Sequence, residues 1–155
     1  MALVTWVVAT FVAAAVGAIG SRTAPAFYPT LDRPAWAPPG RLFGPAWTVL
    51  YLMMAIAGWL VWRERAAGVA IGGAVALYVV QIVLNALWSW IFFAWRRGGW
   101  AFVGAVALWV AVLATLLAFA RIRPLAGSVL VPYLAWVTYA TALTWAVWRA
   151  NPGRP

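Results

Sequence analysis

The sequence predicts an all-α polytopic membrane protein, a single bundle of five transmembrane helices spanning residues 1–155. Two observations carry this. Of 155 residues, 67% are hydrophobic and only 8% are charged, far more apolar surface than a soluble domain of this size buries. The apolar residues also fall into five long runs separated by short clusters of arginine. Each run can cross a hydrocarbon core of about 30 Å as a helix. The runs are too long and too continuously apolar for barrel strands, which alternate.

The first run covers about 3–20. Its Ala9, Ala13 and Gly17 lie four apart, a small-residue stripe suited to close helix packing. No basic n-region precedes it, so it reads as a span rather than a cleavable signal. Residues 22–44 then form a loop. Pro29, Pro34, Pro38 and Pro39 remove amide donors and push the residues before them toward extended backbone. Gly44-Pro45 is expected to open the second helix, about 45–62, which ends at Arg63-Glu64-Arg65. The third covers about 69–93 and ends at Arg96-Arg97. The fourth covers about 100–120, and the fifth about 125–148 with Pro132 in its early part.

Charge sets further limits. The net charge is +9 and every basic residue is arginine. Their placement between spans points to loops and lipid headgroups rather than nucleic acid. Seven of the eleven arginines fall on the side of the Pro-rich loop and the C-terminus. The positive-inside rule therefore puts that side in the cytoplasm and the N-terminus outside. Cysteine and histidine are absent, and Asp32 and Glu64 are the only acids. No disulfide, thiolate or metal site is expected, and no cofactor is required. Both acids lie in loops, so an ion-coupled pump lacks its intramembrane carboxylate. An odd helix count with no visible halves argues against an inverted-repeat transporter.

Polar and aromatic residues within the spans mark a candidate pocket. Gln81, Asn85 and Ser89 are spaced four apart on the third helix, with Tyr78, Trp88 and Phe92 on or beside that face. They could glue helices together or offer amides to a ligand; both readings stay open. The second helix aligns Trp47, Leu50, Tyr51 and Met54, and the fifth aligns Tyr133, Trp136, Ala140 and Thr144. Should these faces converge, they would enclose an uncharged cavity suited to a flat, polycyclic, apolar ligand held by stacking. The loop aromatics Tyr28 and Trp36 would form its lid, or else belong to an interfacial belt. No nucleophile or general acid accompanies these groups, so hydrolytic and acyl-transfer chemistry are not expected.

The motifs resemble those of the TspO/MBR family, the tryptophan-rich sensory proteins related to the mitochondrial translocator protein or peripheral benzodiazepine receptor. The first block is Tyr28, Leu31, Arg33-Pro34, Trp36, Pro38-Pro39, Phe43, Pro45, Trp47-Thr48 and Tyr51. The second is Gln81, Leu84-Asn85, Trp88-Ser89 and Phe92-Phe93. The third is Pro132-Tyr133-Leu134, Trp136-Val137 and Ala140-Thr141, closing with Trp148-Arg149 and Asn151. The resemblance covers about Phe27 to Pro152.

It implies a multi-pass protein of a bacterial membrane, usually a homodimer, whose first loop closes over a ligand pocket. Members bind porphyrins such as protoporphyrin IX and benzodiazepine-type ligands, and some bind sterols. Trp47, Asn85 and Trp136 match family pocket residues, and Tyr28 and Trp36 match the loop. In some bacterial members the tryptophans matching Trp47 and Trp136 are tied to light- and oxygen-dependent porphyrin breakdown, so they are the catalytic candidates if the protein is an enzyme. Three expectations stand side by side: a porphyrin-binding protein with a sensory or scavenging role, a porphyrin-degrading enzyme, and a transporter of tetrapyrroles, lipids or sterols. The chain departs from the family at Phe27, where many relatives have Trp, and at Thr144, where many have Asn. The sterol consensus before Arg149 is not met. Gly72 and Ala76, four apart on the third helix, are candidates for the dimer contact or for packing within the chain.

Overall fold

The computed structural model describes residues 1–153. Five long helices are present: α1 Ala2–Gly20, α3 Phe43–Glu64, α4 Gly72–Ser89, α5 Gly98–Ile122 and α6 Pro124–Ala150. The short α2, Ala24–Phe27, lies in the first loop. All five are long and apolar enough to span a membrane, and among the described residues no strand occurs. The expected spans are thus present, and their ends move by at most four residues.

The shifts have local causes. The second span starts at Phe43 rather than at Pro45. Pro45 still fits, because amides in the first helical turn have no intrahelical acceptor to lose. The Pro-rich loop is partly helical: Pro25 occupies the start of α2, and Pro29 the start of a 3-10 turn, Tyr28–Thr30. A second 3-10 turn, Gly40–Leu42, leads into α3. Only the stretch around Pro34 and Pro38 is free of helix. The third span begins later, at Gly72, and its end widens into a π-turn, Trp90–Ala94. Pro132 does not interrupt α6.

Small residues set the helix crossings. A Cβ on Gly127 would lie 2.5 Å from the Ala120 Cβ, so α6 folds back closely on α5. Gly58 of α3 lies under the Trp6 ring of α1, where a Cβ would come within 2.5 Å. Gly17 packs on Ala86 of α4, and Gly20 sits beneath Trp90, whose indole donates to the Val16 carbonyl at 3.0 Å. The predicted α1 stripe is therefore only partly a packing face: Gly17 is buried, but Ala9 is exposed. Val4, Val8, Val12 and Val16 all face outward.

These contacts spread α1 unevenly. Near its start it is fastened to α3 through Trp6, Gly58 and Trp62. Near its end it leans on α4 instead. The space left between α1 and α3 at that end is the candidate site.

Two apolar clusters fill the bundle. One runs through Met54, Val61, Tyr78, Val112, Phe119, Leu130 and Val137. The other lies at the end bearing the Pro-rich loop, where Phe27, Tyr28 and Leu31 pack on Phe92, Phe93, Leu143 and Val147. At the opposite end Arg123 Nη1 meets Glu64 Oε1 at 2.6 Å.

Candidate functional site

A cavity of about 860 Å³ opens between α1, the first loop, α3, α4 and α6. The volume falls in the range of roughly 300–1,000 Å³ typical of small-molecule sites. Each wall follows from a helix face. Phe11, Ala14, Gly17 and Ala18 come from α1; Phe43, Trp47 and Tyr51 from α3; Asn85, Trp88 and Ser89 from α4; Ala140, Leu143 and Thr144 from α6. The π-turn brings Phe92 and Phe93 to the same wall. A widened turn of this kind re-aims side chains that a regular helix would direct elsewhere.

The first loop closes one end, contributing Tyr28, Pro29, Arg33 and Arg41 among others. It is tied down at several points. Thr23 Oγ1 donates to the Phe93 carbonyl at 3.1 Å, and Tyr28 Oη to the Pro38 carbonyl at 3.1 Å. Tyr139 Oη donates to the Trp36 carbonyl at 2.9 Å. Asn151 clamps Asp32 from both sides, accepting its amide at 3.0 Å and donating to its carbonyl at 2.9 Å. Burial pushes the Tyr28 phenol up, partly offset by Arg33 beside it. On the flank, the exposed residues Ala15, Ala18, Gly44 and Thr48 also line the cavity. There it reaches the outer surface of the bundle between α1 and α3.

Seven of the ten residues expected from the sequence line the cavity: Tyr28, Trp47, Tyr51, Asn85, Trp88, Ala140 and Thr144. Three do not. Gln81 is fully buried and spends its amide on Tyr133 and Met54, so it is a member of the helix-bonding network. Trp136 stands behind Trp47, at 6.4 Å between ring centroids, and also packs on Phe43 at 6.2 Å. Trp36 is exposed and meets the edge of Tyr139 at 5.6 Å, as an interfacial aromatic would. The α1 wall was not anticipated. A run of valine and alanine carries no polar signal, and only Gly17 in the small-residue stripe hinted at a close neighbour.

The polar inventory of the interior is neutral. Asn85 Oδ1 accepts from Tyr51 Oη at 2.8 Å, and Asn85 Nδ2 donates to Tyr133 Oη at 2.9 Å. Thr144 Oγ1 donates to the Ala140 carbonyl at 2.7 Å, which leaves the hydroxyl only acceptor capacity toward the cavity. Trp88 Nε1 is buried without a partner. An orphaned donor in such surroundings is costly, and the neighbouring Trp88 Cδ1 lies 3.9 Å from a Cβ placed on Gly104 of α5. Among the described residues the only charged groups lining the cavity are Arg33 and Arg41. The chemistry available is stacking on aromatic faces, a few neutral hydrogen bonds, and positive charge at the loop end.

The chain is also similar in sequence to known proteins. The model of the TspO/MBR family matches residues 4–149. Protein CrtK of Rhodobacter capsulatus is 38% identical over 159 aligned positions, covering 99% of this chain and 96% of its own. The human translocator protein is 40% identical, over 82% of this chain and 76% of its own. The tryptophan-rich sensory protein of Cereibacter sphaeroides is 37% identical, over 83% and 79%.

Proposed function

This chain belongs to the TspO/MBR family, and on that premise we propose that it is a membrane-embedded binding protein for porphyrins and similar flat apolar ligands, with a sensory or scavenging role. The observation that carries the reading is the cavity itself: about 860 Å³, walled by Phe11, Phe43, Trp47, Tyr51, Trp88 and Phe92, with neutral polar groups inside. Aromatic walls stack on a polycyclic ring, and the absence of histidine and cysteine from the sequence favours metal-free porphyrin over axially ligated haem. Titration of purified protein with protoporphyrin IX, followed by tryptophan fluorescence, should give saturable quenching that weakens in Trp88→Phe and Trp47→Phe. Linear, unsaturable quenching would remove the proposal.

A second reading rests on the Trp47–Trp136 pair. One ring lines the cavity and the other backs it, edge to face at 6.4 Å. That pair would support light- and oxygen-dependent breakdown of a bound porphyrin, with the tryptophans as redox partners. Illuminated complex should yield a new absorbing product, and a Trp47→Phe, Trp136→Phe double variant should not. Equal bleaching in both would assign the effect to ordinary photochemistry.

The protein is further read as a homodimer joined through α4, with the Pro-rich loop and C-terminus on the cytoplasmic side. Gly72, Ala76, Val79, Val80, Val83 and Leu87 form an exposed apolar strip along α4, and its small residues allow another helix to approach closely.

A further inference from the structure

We propose that Trp136, Tyr139 and Trp36 form an electron relay between the cavity wall and water, by which an oxidising equivalent created on a bound ligand is discharged at the surface of the Pro-rich loop. The inference rests on the light- and oxygen-dependent reading of the Trp47–Trp136 pair and adds where the oxidising equivalent goes.

The relay is a line of ring contacts. Trp47 lines the cavity and meets Trp136 at 6.4 Å between centroids. Trp136 meets Tyr139 at 5.8 Å, and Tyr139 meets Trp36 at 5.6 Å. Tyr139 Oη also donates to the Trp36 carbonyl at 2.9 Å, which ties the last two members together across α6 and the loop. Electron tunnelling falls off exponentially with distance. Rings in contact therefore exchange an electron far faster than rings a helix apart.

The line is also the one way out. Tryptophan and tyrosine rings give up an electron readily enough to serve, and phenylalanine does not. Among the described residues, Trp88 has ring contacts only with Phe92 and Phe93, and Tyr28 only with Phe43. Tyr51 and Tyr133 touch Trp47 but are buried and lead to no further tryptophan or tyrosine. Trp6, Trp62 and Tyr78 form a separate set. Of the tryptophan and tyrosine rings joined to the cavity, only Trp36 is exposed, at 51%. It lies on the loop face read above as cytoplasmic, where soluble reductants are held.

The electron count closes. The light-excited porphyrin gives one electron to O2, forming superoxide, and the porphyrin radical cation takes one electron from Trp47. Trp136, Tyr139 and Trp36 refill that vacancy in turn. At the end only Trp36 is oxidised, having lost one electron and its indole proton to water. A water-soluble hydrogen-atom donor restores it; without one, the Trp36 radical combines with O2 and leaves a stable oxidation product. The relay thus returns the porphyrin and the cavity tryptophans to their starting state.

The experiment uses the full chain in phosphatidylcholine nanodiscs with protoporphyrin IX, illuminated in air without added reductant. Peptide mapping by mass spectrometry reads hydroxytryptophan and kynurenine at each tryptophan, and absorbance reads the porphyrin product. Trp36 should be marked several-fold above Trp95 and Trp100, although these are more exposed, at 56% and 68%. Tyr139→Phe should lower the Trp36 mark several-fold and leave those at Trp95 and Trp100 unchanged. Loosening of the loop by the lost hydrogen bond would raise the Trp36 mark instead, so the two effects have opposite signs. Trp47→Phe, a second interruption, should lower it likewise. A porphyrin product accompanied by no excess mark at Trp36 would assign the damage to diffusing oxidants and overturn the relay while leaving the parent reading intact. A Trp36 mark that persists in both variants would do the same. Neither a porphyrin product nor any mark above the dark blank would overturn the parent reading and the relay with it.

Discussion

Met54 decides which way the Gln81 amide faces. Gln81 Nε2 donates to the Met54 thioether at 3.6 Å, an acceptor with no proton to give. The Gln81 oxygen is thereby turned to Tyr133, whose hydroxyl donates to it at 2.9 Å. Tyr133, its proton committed, accepts from Asn85 Nδ2, and the Asn85 oxygen accepts from Tyr51. One sulfur on α3 thus sets the direction of a chain that crosses α4 and α6 and ends at the cavity wall. Asn85, the amide expected to meet a ligand, gives its oxygen and one N–H to this chain. Trp88 also lines the cavity, and its indole N–H is buried without a partner.

Breaking the chain in the middle should cost stability. Tyr133→Phe leaves Asn85 Nδ2 and Gln81 Oε1 buried with no partner. We expect a loss of about 1–2 kcal/mol, seen as a lower midpoint in thermal unfolding of the detergent-solubilised protein. An unchanged midpoint would mean that water or a rearranged amide replaces the hydroxyl.

The α5–α6 crossing should be intolerant of one added carbon. A Cβ at Gly127 would meet the Ala120 Cβ at 2.5 Å and its Cα at 2.8 Å, so backbone itself must move. Gly127→Ala should destabilise by about 1–3 kcal/mol. Gly44→Ala meets nothing within 4 Å and serves as the neutral comparison in the same unfolding assay. Equal midpoints for the two variants would show that the crossing relaxes freely.

The loop is held shut from the C-terminus. Asn151→Ala removes both hydrogen bonds to Asp32 and should quicken protoporphyrin IX release about five-fold, the scale of roughly 1 kcal/mol. Pro38→Gly with Pro39→Gly should act in the same direction by widening the unfolded ensemble of the loop. Stopped-flow release unchanged in both would place the exit at the Ala15–Thr48 flank. Ala37→Cys, in a chain with no native cysteine, should react with an impermeant maleimide only from the cytoplasmic face, and more slowly with ligand bound. Labelling from outside would invert the proposed orientation.

The proposed dimer contact has a direct test on α4. Gly72 is exposed, with nothing within 4 Å of a Cβ placed there, and Ala76 is exposed as well. Neither is used in packing within the chain, so Leu at either position should leave the protomer folded. Gly72→Leu or Ala76→Leu should move the solubilised protein toward monomer in light scattering. A dimer that survives both would lie on another face.

The sequence alone determined the architecture, because a bilayer leaves little choice. A run of about 20 apolar residues must satisfy its backbone internally, and a helix is the form that does so within one segment. The spans, the irregular stretch around Pro34 and Pro38, and the placement of charge outside the spans all follow from that. The faces carrying Trp47, Tyr51, Asn85 and Thr144 were legible too, since helical periodicity fixes which residues share a side. Tertiary structure decided what those faces meet. Periodicity puts Gln81 and Asn85 on one face; only the position of Met54 and Tyr133 makes Gln81 structural. Periodicity puts Trp136 and Ala140 together; only the rotation of α6 against α3 sets Trp136 behind Trp47 while Ala140 reaches the cavity. The α1 wall was silent in the sequence, because valine and alanine face lipid or a neighbouring helix at nearly equal free energy. Which of the two they face is settled by the contacts of Trp6, Gly17 and Gly20, each made with a residue distant in the chain.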